Sequence, residues 1–263
     1  MHAAKKIRMG RILRSTSGRG LVVPIDHGLT LGPIAGIESV RRISRFIRNP
    51  AIEAVIAHKG IISQLGSRGL LAGRGVILHV NGMSSLAESP DDKELLTAVS
   101  MAPRIGADAV SLQLNFNGKN DATNLRRLGR VVDEAEVLGL PVLTMLYDKV
   151  QVDDVDQRAR RLRHLLRATI ELGTDLVKIG YDEALTKILA DIREDVAVLV
   201  AGGPLSSQAE IFAQVSHALT AGAAGVCIGR NVFASEDPNG FLQSLAQIVH
   251  GRMEREESSA ALL

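Results

Sequence analysis

Lys178 interrupts the apolar run Leu176-Val177-Lys178-Ile179, and a lysine buried in such a segment has little water to reach. Desolvation pushes its pKa down, so that more of it is the neutral amine that attacks a carbonyl. Loss of water from the resulting carbinolamine gives an iminium, an electron sink for the enamine formed when a C–C bond is made or broken. Such chemistry needs proton carriers, and Asp26 and Tyr147, at the ends of two other apolar runs, can serve. Each residue also has a plainer reading. Lys178 could snorkel past a strand end or pair with Asp175, Asp26 could cap the turn before Gly28, and Tyr147 could hold its hydroxyl in water.

Two glycine-bearing turns suggest a second function. Gly202-Gly203-Pro204 and Gly229-Arg230-Asn231 each close an apolar run. Glycines let backbone N–H groups approach anionic oxygens, a helix start after Gly229 adds positive potential, and Arg230 adds charge-assisted hydrogen bonds. The expected ligand is a phosphomonoester, although Gly-Gly-Pro alone is simply a turn. His27, His58 and His79 also stand at or near run ends, so a site of three imidazoles around a metal has to be weighed. The chain lacks the paired H-x-H that metal-binding hydrolase barrels present with carboxylates. The expectation is therefore no metal and no cofactor, with His27 a donor or acid/base beside Asp26. His164, His217 and His250 fall in helical segments and are expected to face solvent, and Cys227 to pack as a small hydrophobe.

A repeating scaffold must position these residues. Runs rich in Val, Ile and Leu occur at 21–25, 53–57, 76–80, 108–112, 141–146, 175–179, 196–201 and 225–229, and each reads as a strand. Between them apolar residues recur at helical spacing, as in Ile37, Val40, Ile43 and Ile47, in Leu125, Leu128, Val132 and Ala135, and in Val155, Ala159, Leu162, Leu166 and Ile170. Strand starts recur every roughly 20 to 35 residues, the length of a strand plus a crossover helix. The runs are apolar without strict alternation, as in parallel strands covered on both faces. IGADAVSL at 105–112, LGTDLVKI at 172–179 and AGAAGVCI at 221–228 repeat one join, in which a glycine suited to the left-handed position ends a helix before the next strand. Eight such units predict an α/β chain folded as one closed (β/α)8, or TIM, barrel over 1–263, with a frayed tail at 254–263. A doubly wound open sheet would want a glycine-rich dinucleotide loop after the first strand, and Pro24-Ile25-Asp26-His27-Gly28 is not one. In such barrels the carboxyl ends of the strands carry the chemistry, and these ends are polar in this chain.

Composition excludes several other functions. Thirty-one Lys+Arg against 29 Asp+Glu leave a net charge of +2, and aromatics are 3% with no Trp; both argue against nucleic-acid binding. With Cys227 alone there is no intrachain disulfide and no cysteine-built zinc site, which suits a reducing compartment. No apolar run approaches the roughly 18 residues of a membrane span, so the expected location is the cytoplasm. Lys5, Lys6, Arg8, Arg11, Arg14 and Arg19 could be read as a transit peptide, but the segment runs straight into a strand and reads better as a solvated face.

Taken together, these motifs resemble the archaeal-type class I aldolases, a family of Schiff-base fructose-bisphosphate aldolases, aminodideoxyheptulosonate synthases and the autoinducer-2 phosphate thiolase. The likeness spans most of the chain. It is carried by Ser17-Gly18-Arg19, Val23-Pro24-Ile25-Asp26-His27-Gly28, Gly32-Pro33, Asp175-Leu176-Val177-Lys178, Ala201-Gly202-Gly203-Pro204 and Gly229-Arg230-Asn231-Val232-Phe233. It implies Lys178 as the Schiff-base lysine, Asp26 as a general acid/base, Tyr147 as proton donor and acceptor, and Gly202, Gly203, Gly229 and Arg230 as a phosphate cradle. It also implies a homo-oligomer, a decamer or similar ring. Many relatives follow the strand-five tyrosine with Pro-Arg-Gly, where this chain has Tyr147-Asp148-Lys149-Val150. That departure, with the missing Trp, favours an aldol synthesis joining a phosphorylated ketose to a small aldehyde such as aspartate semialdehyde over cleavage of a bisphosphate sugar. The alternatives are a thiolase using the same lysine and a non-catalytic sugar-phosphate sensor, which would have no need of a buried amine.

Overall fold

All eight apolar runs form strands, and a two-residue ribbon adds two more. The strands are β1 (Gly20–Pro24), β2 (Ala54–Ala57), β3 (Gly75–His79), β4 (Asn81–Gly82), β5 (Glu94–Leu95), β6 (Ala109–Phe116), β7 (Val142–Asp148), β8 (Leu176–Ile179), β9 (Ala197–Ala201) and β10 (Gly225–Cys227). In this computed structural model, which describes residues 3–251, eight of them close into a barrel in the order β1-β10-β9-β8-β7-β6-β3-β2. Every barrel pairing is parallel. β4 and β5 pair antiparallel outside the ring. Closure excludes the open doubly wound sheet, and the expected tail, 254–263, lies outside the described residues.

Two apolar layers hold the barrel. Outward-facing residues such as Val23, Val55, Leu78 and Val110 pack under the helices. Two of these, Asp121–Val137 and Val155–Glu171, turn Leu128, Val132 and Ala135 or Ala159 and Leu166 to the sheet, as their spacing predicts. The helix expected around 37–47 is only a single α turn, Val40–Ile43, followed by further turns. Asn49 and Pro50 come soon after, and a residue before proline is disfavoured in the helical region. The repeated join is as expected: Gly106, Gly173 and Gly222 sit at φ +74°, +91° and +104°, a region side chains disfavour. The fourth run extends further than read. β6 continues to Phe116, paired to Asp148 of β7, so Gln113 and Asn115 lie inside a strand rather than after one.

The amino-terminal end of the bore is closed. Ile12 is fully buried among the barrel's interior residues. The chain crosses so closely that a Cβ on Gly20 would lie 2.5 Å from the Ile12 carbonyl oxygen, and one on Gly75 2.5 Å from that of Arg11. The amino-terminal cations are only in part the solvated face expected of them: Lys6 and Arg11 are exposed, and the others are buried or half-buried. Buried Lys5 bonds Asp175 at 3.0 Å and Glu136 at 2.6 Å, Arg8 donates to Gly139 O and Arg19 to Val249 O, and Arg11 and Arg14 pair with Asp108 and Glu53. His250 is also corrected: it is buried between Ser17 Oγ at 2.9 Å and Glu53 Oε2 at 3.2 Å. His217 is half-buried and bonded to the Tyr181 hydroxyl, while His164 is exposed. Among the described residues, no helix is long and apolar enough to cross a membrane.

Candidate active site

Alternation along the strands decides which side chains enter the bore. Val22, Ile56, Ile77, Ala109, Met145 and Leu176 fill its interior. Steps of two from these residues reach Asp26 beyond β1, His58 beyond β2, His79 on β3, Ser111 and Gln113 on β6, Tyr147 on β7 and Lys178 on β8. One inward-facing series thus changes from hydrocarbon to polar groups toward the carboxyl ends. There a cavity of about 200 Å³ opens, with Asp26, His27, Tyr147, Lys178 and Arg230 in its wall.

Lys178 is only 6% exposed, flanked in register by Met145 and Leu199. Asp175, the partner it might have taken, is at the far end of β8 with Lys5. One expectation is overturned. Burial does work to lower the Lys178 pKa, but Cys227, Tyr147 and Asp26 around the nitrogen outweigh it and raise the pKa above the ordinary lysine value. Asp26 supplies the negative charge at neutral pH, because burial pushes the Cys227 thiol up to about 11. The resting side chain is therefore an ammonium facing a carboxylate, and a proton must leave it before it can attack.

Asp26 occupies the N-cap position of the short helix His27–Leu31, yet its side chain makes no capping bond. Its carboxylate is free to face the cavity. Burial would raise its pKa, but His79, His27 and Lys178 outweigh that effect and hold it below the ordinary aspartate value. His79 Nε2 lies 3.7 Å from Oδ2 and His27 Nδ1 3.6 Å from Oδ1. His79 is itself buried, bonded through Nδ1 to Ser111 Oγ at 2.8 Å, and burial lowers its pKa to about 4. His58 packs edge-on to His79 at 5.1 Å and bonds its carbonyl oxygen. The three imidazoles weighed as metal ligands are thus the surroundings of Asp26. Among the described residues, no group of three His, Cys, Asp or Glu side chains is disposed to hold a metal.

The loops after β9 and β10 meet beside this cavity. Gly203 has φ +63°, and a Cβ on Gly229 would lie 2.7 Å from Pro24 O and 2.8 Å from His27 Cε1. Arg230 Nη2 donates to Gly203 O at 3.0 Å. Asn231, whose part could not be read from sequence, ties the two loops together. Its Nδ2 donates to Gly202 O and Pro204 O at 2.9 and 3.0 Å, and its Oδ1 accepts from Ser206 N at 3.0 Å. The helix Arg230–Phe233 is a single turn.

Of the departure at Tyr147-Asp148-Lys149, only Tyr147 lines the cavity. Asp148 is taken up by Arg161 at 2.8 and 3.0 Å, and Lys149 by Asp91 at 2.9 Å. Lys93 lines the cavity and is buried, and sequence reasoning missed it. It lies in a polar, non-periodic stretch, SPDDKE at 89–94, that looks like solvated loop.

The profile of the DeoC/LacD family aldolases matches residues 21–235. The chain is 37% identical over 255 residues to the 2-amino-3,7-dideoxy-D-threo-hept-6-ulosonate synthase 1 of Archaeoglobus fulgidus, over 96% of this chain and 94% of that one. It is 29% identical over 251 residues to the 2-amino-4,5-dihydroxy-6-oxo-7-(phosphonooxy)heptanoate synthase of Streptomyces griseus, over 94% and 90% of the two chains. Its fold is similar to that of an archaeal fructose-1,6-bisphosphate aldolase solved with its catalytic lysine bound to a carbinolamine intermediate. The TM-score is 0.81, at 24% identity over 94% of this chain and 100% of the other.

Proposed function

The chain belongs to the DeoC/LacD family of aldolases, and on that premise we propose that it joins a phosphorylated ketose to a small aldehyde such as aspartate semialdehyde through an iminium on Lys178. The observation that carries this reading is the buried Lys178 amine at the wall of a cavity it shares with Asp26 and Tyr147. The synthetic direction is supported by relatives whose names end in synthase. In the product named for the Streptomyces relative, the hydroxyl on carbon 4 lies β to the oxo group on carbon 6, the relation an aldol addition leaves. Breaking that bond in thought gives a three-carbon ketone phosphate and an aldehyde bearing an amino group and a carboxylate.

The steps follow from the proton inventory. As the Lys178 nitrogen attacks the keto carbon, its proton passes by way of the Asp26 carboxylate to the keto oxygen. The carbonyl oxygen takes up a proton and later leaves as water, with Tyr147 and Asp26 as donors and His27 beside them. Tyr147, having given its proton to the departing water, takes one from the carbon next to the iminium to leave an enamine, and returns it to the aldehyde oxygen as the enamine adds to the aldehyde. Hydrolysis of the new iminium frees the product and restores the amine. Gly202, Gly203, Gly229 and Arg230 hold the donor phosphate, so that its carbonyl is presented to Lys178. The likeness to the archaeal-type class I aldolases extends this reading to a homo-oligomeric ring working in the cytoplasm.

The test is reductive trapping. Dihydroxyacetone phosphate with borohydride is expected to leave an adduct on the peptide containing Lys178, and none in Lys178→Met. An adduct on another residue, or none in the wild type with this or any other phosphorylated ketone, defeats the proposal.

A further inference from the structure

The ring order places β9 and β10 across the barrel from β3 and β6. The proposed phosphate loops follow the first pair. Between the second pair the chain leaves the barrel, forms the β4–β5 ribbon and brings Lys93, the residue before β5, into the cavity wall opposite. Lys93 is 5% exposed. Its position is fixed by its surroundings. Asn81 of β4 exchanges two side-chain bonds with the Gln113 backbone, at 2.7 and 2.8 Å, and Leu96 N donates to Val80 O at 2.8 Å.

Asp91 and Asp26 attract Lys93 only from beyond ion-pair distance. Among the described residues no carboxylate forms an ion pair with it. Asp91, two residues earlier, is bound by Lys149 and accepts from Asn115 Nδ2 at 3.2 Å. A buried, unpaired ammonium is costly, and this one borders a cavity into which an anion can enter. Resting on the aldol reading above, we propose that Lys93 recognises the acceptor substrate through a carboxylate on the aldehyde. A donor whose phosphate lies at the β9–β10 loops and whose keto carbon is on Lys178 leaves the β3–β6 side of the cavity for the acceptor. That side offers one cation and none of the paired glycine loops found opposite, which fits a singly charged carboxylate better than a phosphate dianion. Lys93 is thus a specificity residue that Lys178 chemistry does not itself require.

Lys93→Met and Lys93→Arg test this with three aldehydes: L-aspartate semialdehyde, uncharged D-glyceraldehyde and D-glyceraldehyde 3-phosphate. The expected result for Lys93→Met is an unchanged extent of borohydride trapping with dihydroxyacetone phosphate and an unchanged KM for glyceraldehyde. The KM for aspartate semialdehyde rises roughly 10- to 100-fold, the range for losing a charge-assisted contact. Lys93→Arg regains part of that loss. Equal losses with all three aldehydes, or loss of trapping, would show that Lys93 serves Lys178 or the fold and overturn the assignment. A loss confined to glyceraldehyde 3-phosphate would overturn the carboxylate in favour of a phosphate. Absence of a wild-type adduct would instead be the failure of the aldol reading, read out before any Lys93 variant is compared.

Discussion

His79 offers a quantitative check on the electrostatics of the cavity. Its imidazole is buried and its pKa is lowered from 6.5 to about 4, so between those values the unfolded chain binds a proton that the folded chain does not. The stability owed to a neutral His79 is present in full above pH 6.5 and is lost as the pH falls toward 4. The difference is about 2.5 pKa units, and at 1.36 kcal/mol per unit this is on the order of 3 kcal/mol. His27 and His58, also lowered by burial, add to the same slope. Asp26, held below its ordinary value, contributes stability that is lost only below about pH 4, outside the window. The perturbation is His79→Asn, whose amide can keep the bond to Ser111 Oγ without a titrating ring. Urea unfolding followed by circular dichroism at fixed protein concentration, from pH 4.5 to 7.5, is expected to give a shallower pH dependence in the variant. The slopes should differ by close to one proton, about 1.4 kcal/mol per pH unit. Coincident slopes would mean that His79 titrates as an ordinary histidine, and the picture of a dry, neutral ring facing Asp26 would fail.

Two further substitutions examine the loops after β9 and β10. Arg230→Ala is expected to weaken binding of dihydroxyacetone phosphate by about 2 kcal/mol, roughly 30-fold in Kd, by titration calorimetry; unchanged affinity would remove Arg230 from the proposed phosphate site. Gly229→Ala places a methyl group 2.7 Å from Pro24 O and 2.8 Å from His27 Cε1, so it is expected to cost about 1 to 3 kcal/mol of stability and to slow trapping at Lys178. A variant as stable and as reactive as the wild type would show that the loop has room to move.

What could be read from the amino acids alone divides along physical lines. The strands announced themselves because continuous apolar runs closed by turn residues are a local signal, and Lys178 stood out because it breaks one of them. The direction of its pKa shift was not local. It depends on Asp26 from beyond β1, Tyr147 from β7 and Cys227 from β10, which only closure of the ring brings together. His58 and His79 were noticed, but spacing could not distinguish shared ligation of a metal from a shared border on one carboxylate. Lys93 gave no signal, since a lysine among acids reads as solvated, and Asn231 stood out only as part of the Gly229-Arg230-Asn231 motif, with nothing local to show that it ties two loops together. The ion pairs of Lys5, Arg11 and Arg14 were not legible for the converse reason: their acids, Glu53, Asp108, Glu136 and Asp175, come from distant parts of the chain.

With side chains filling its interior and the segment around Ile12 across its amino-terminal end, the barrel is a cup open at the carboxyl rim. Whatever reaches Lys178 comes over the rim and departs by the same route, so discharge and reloading cannot overlap.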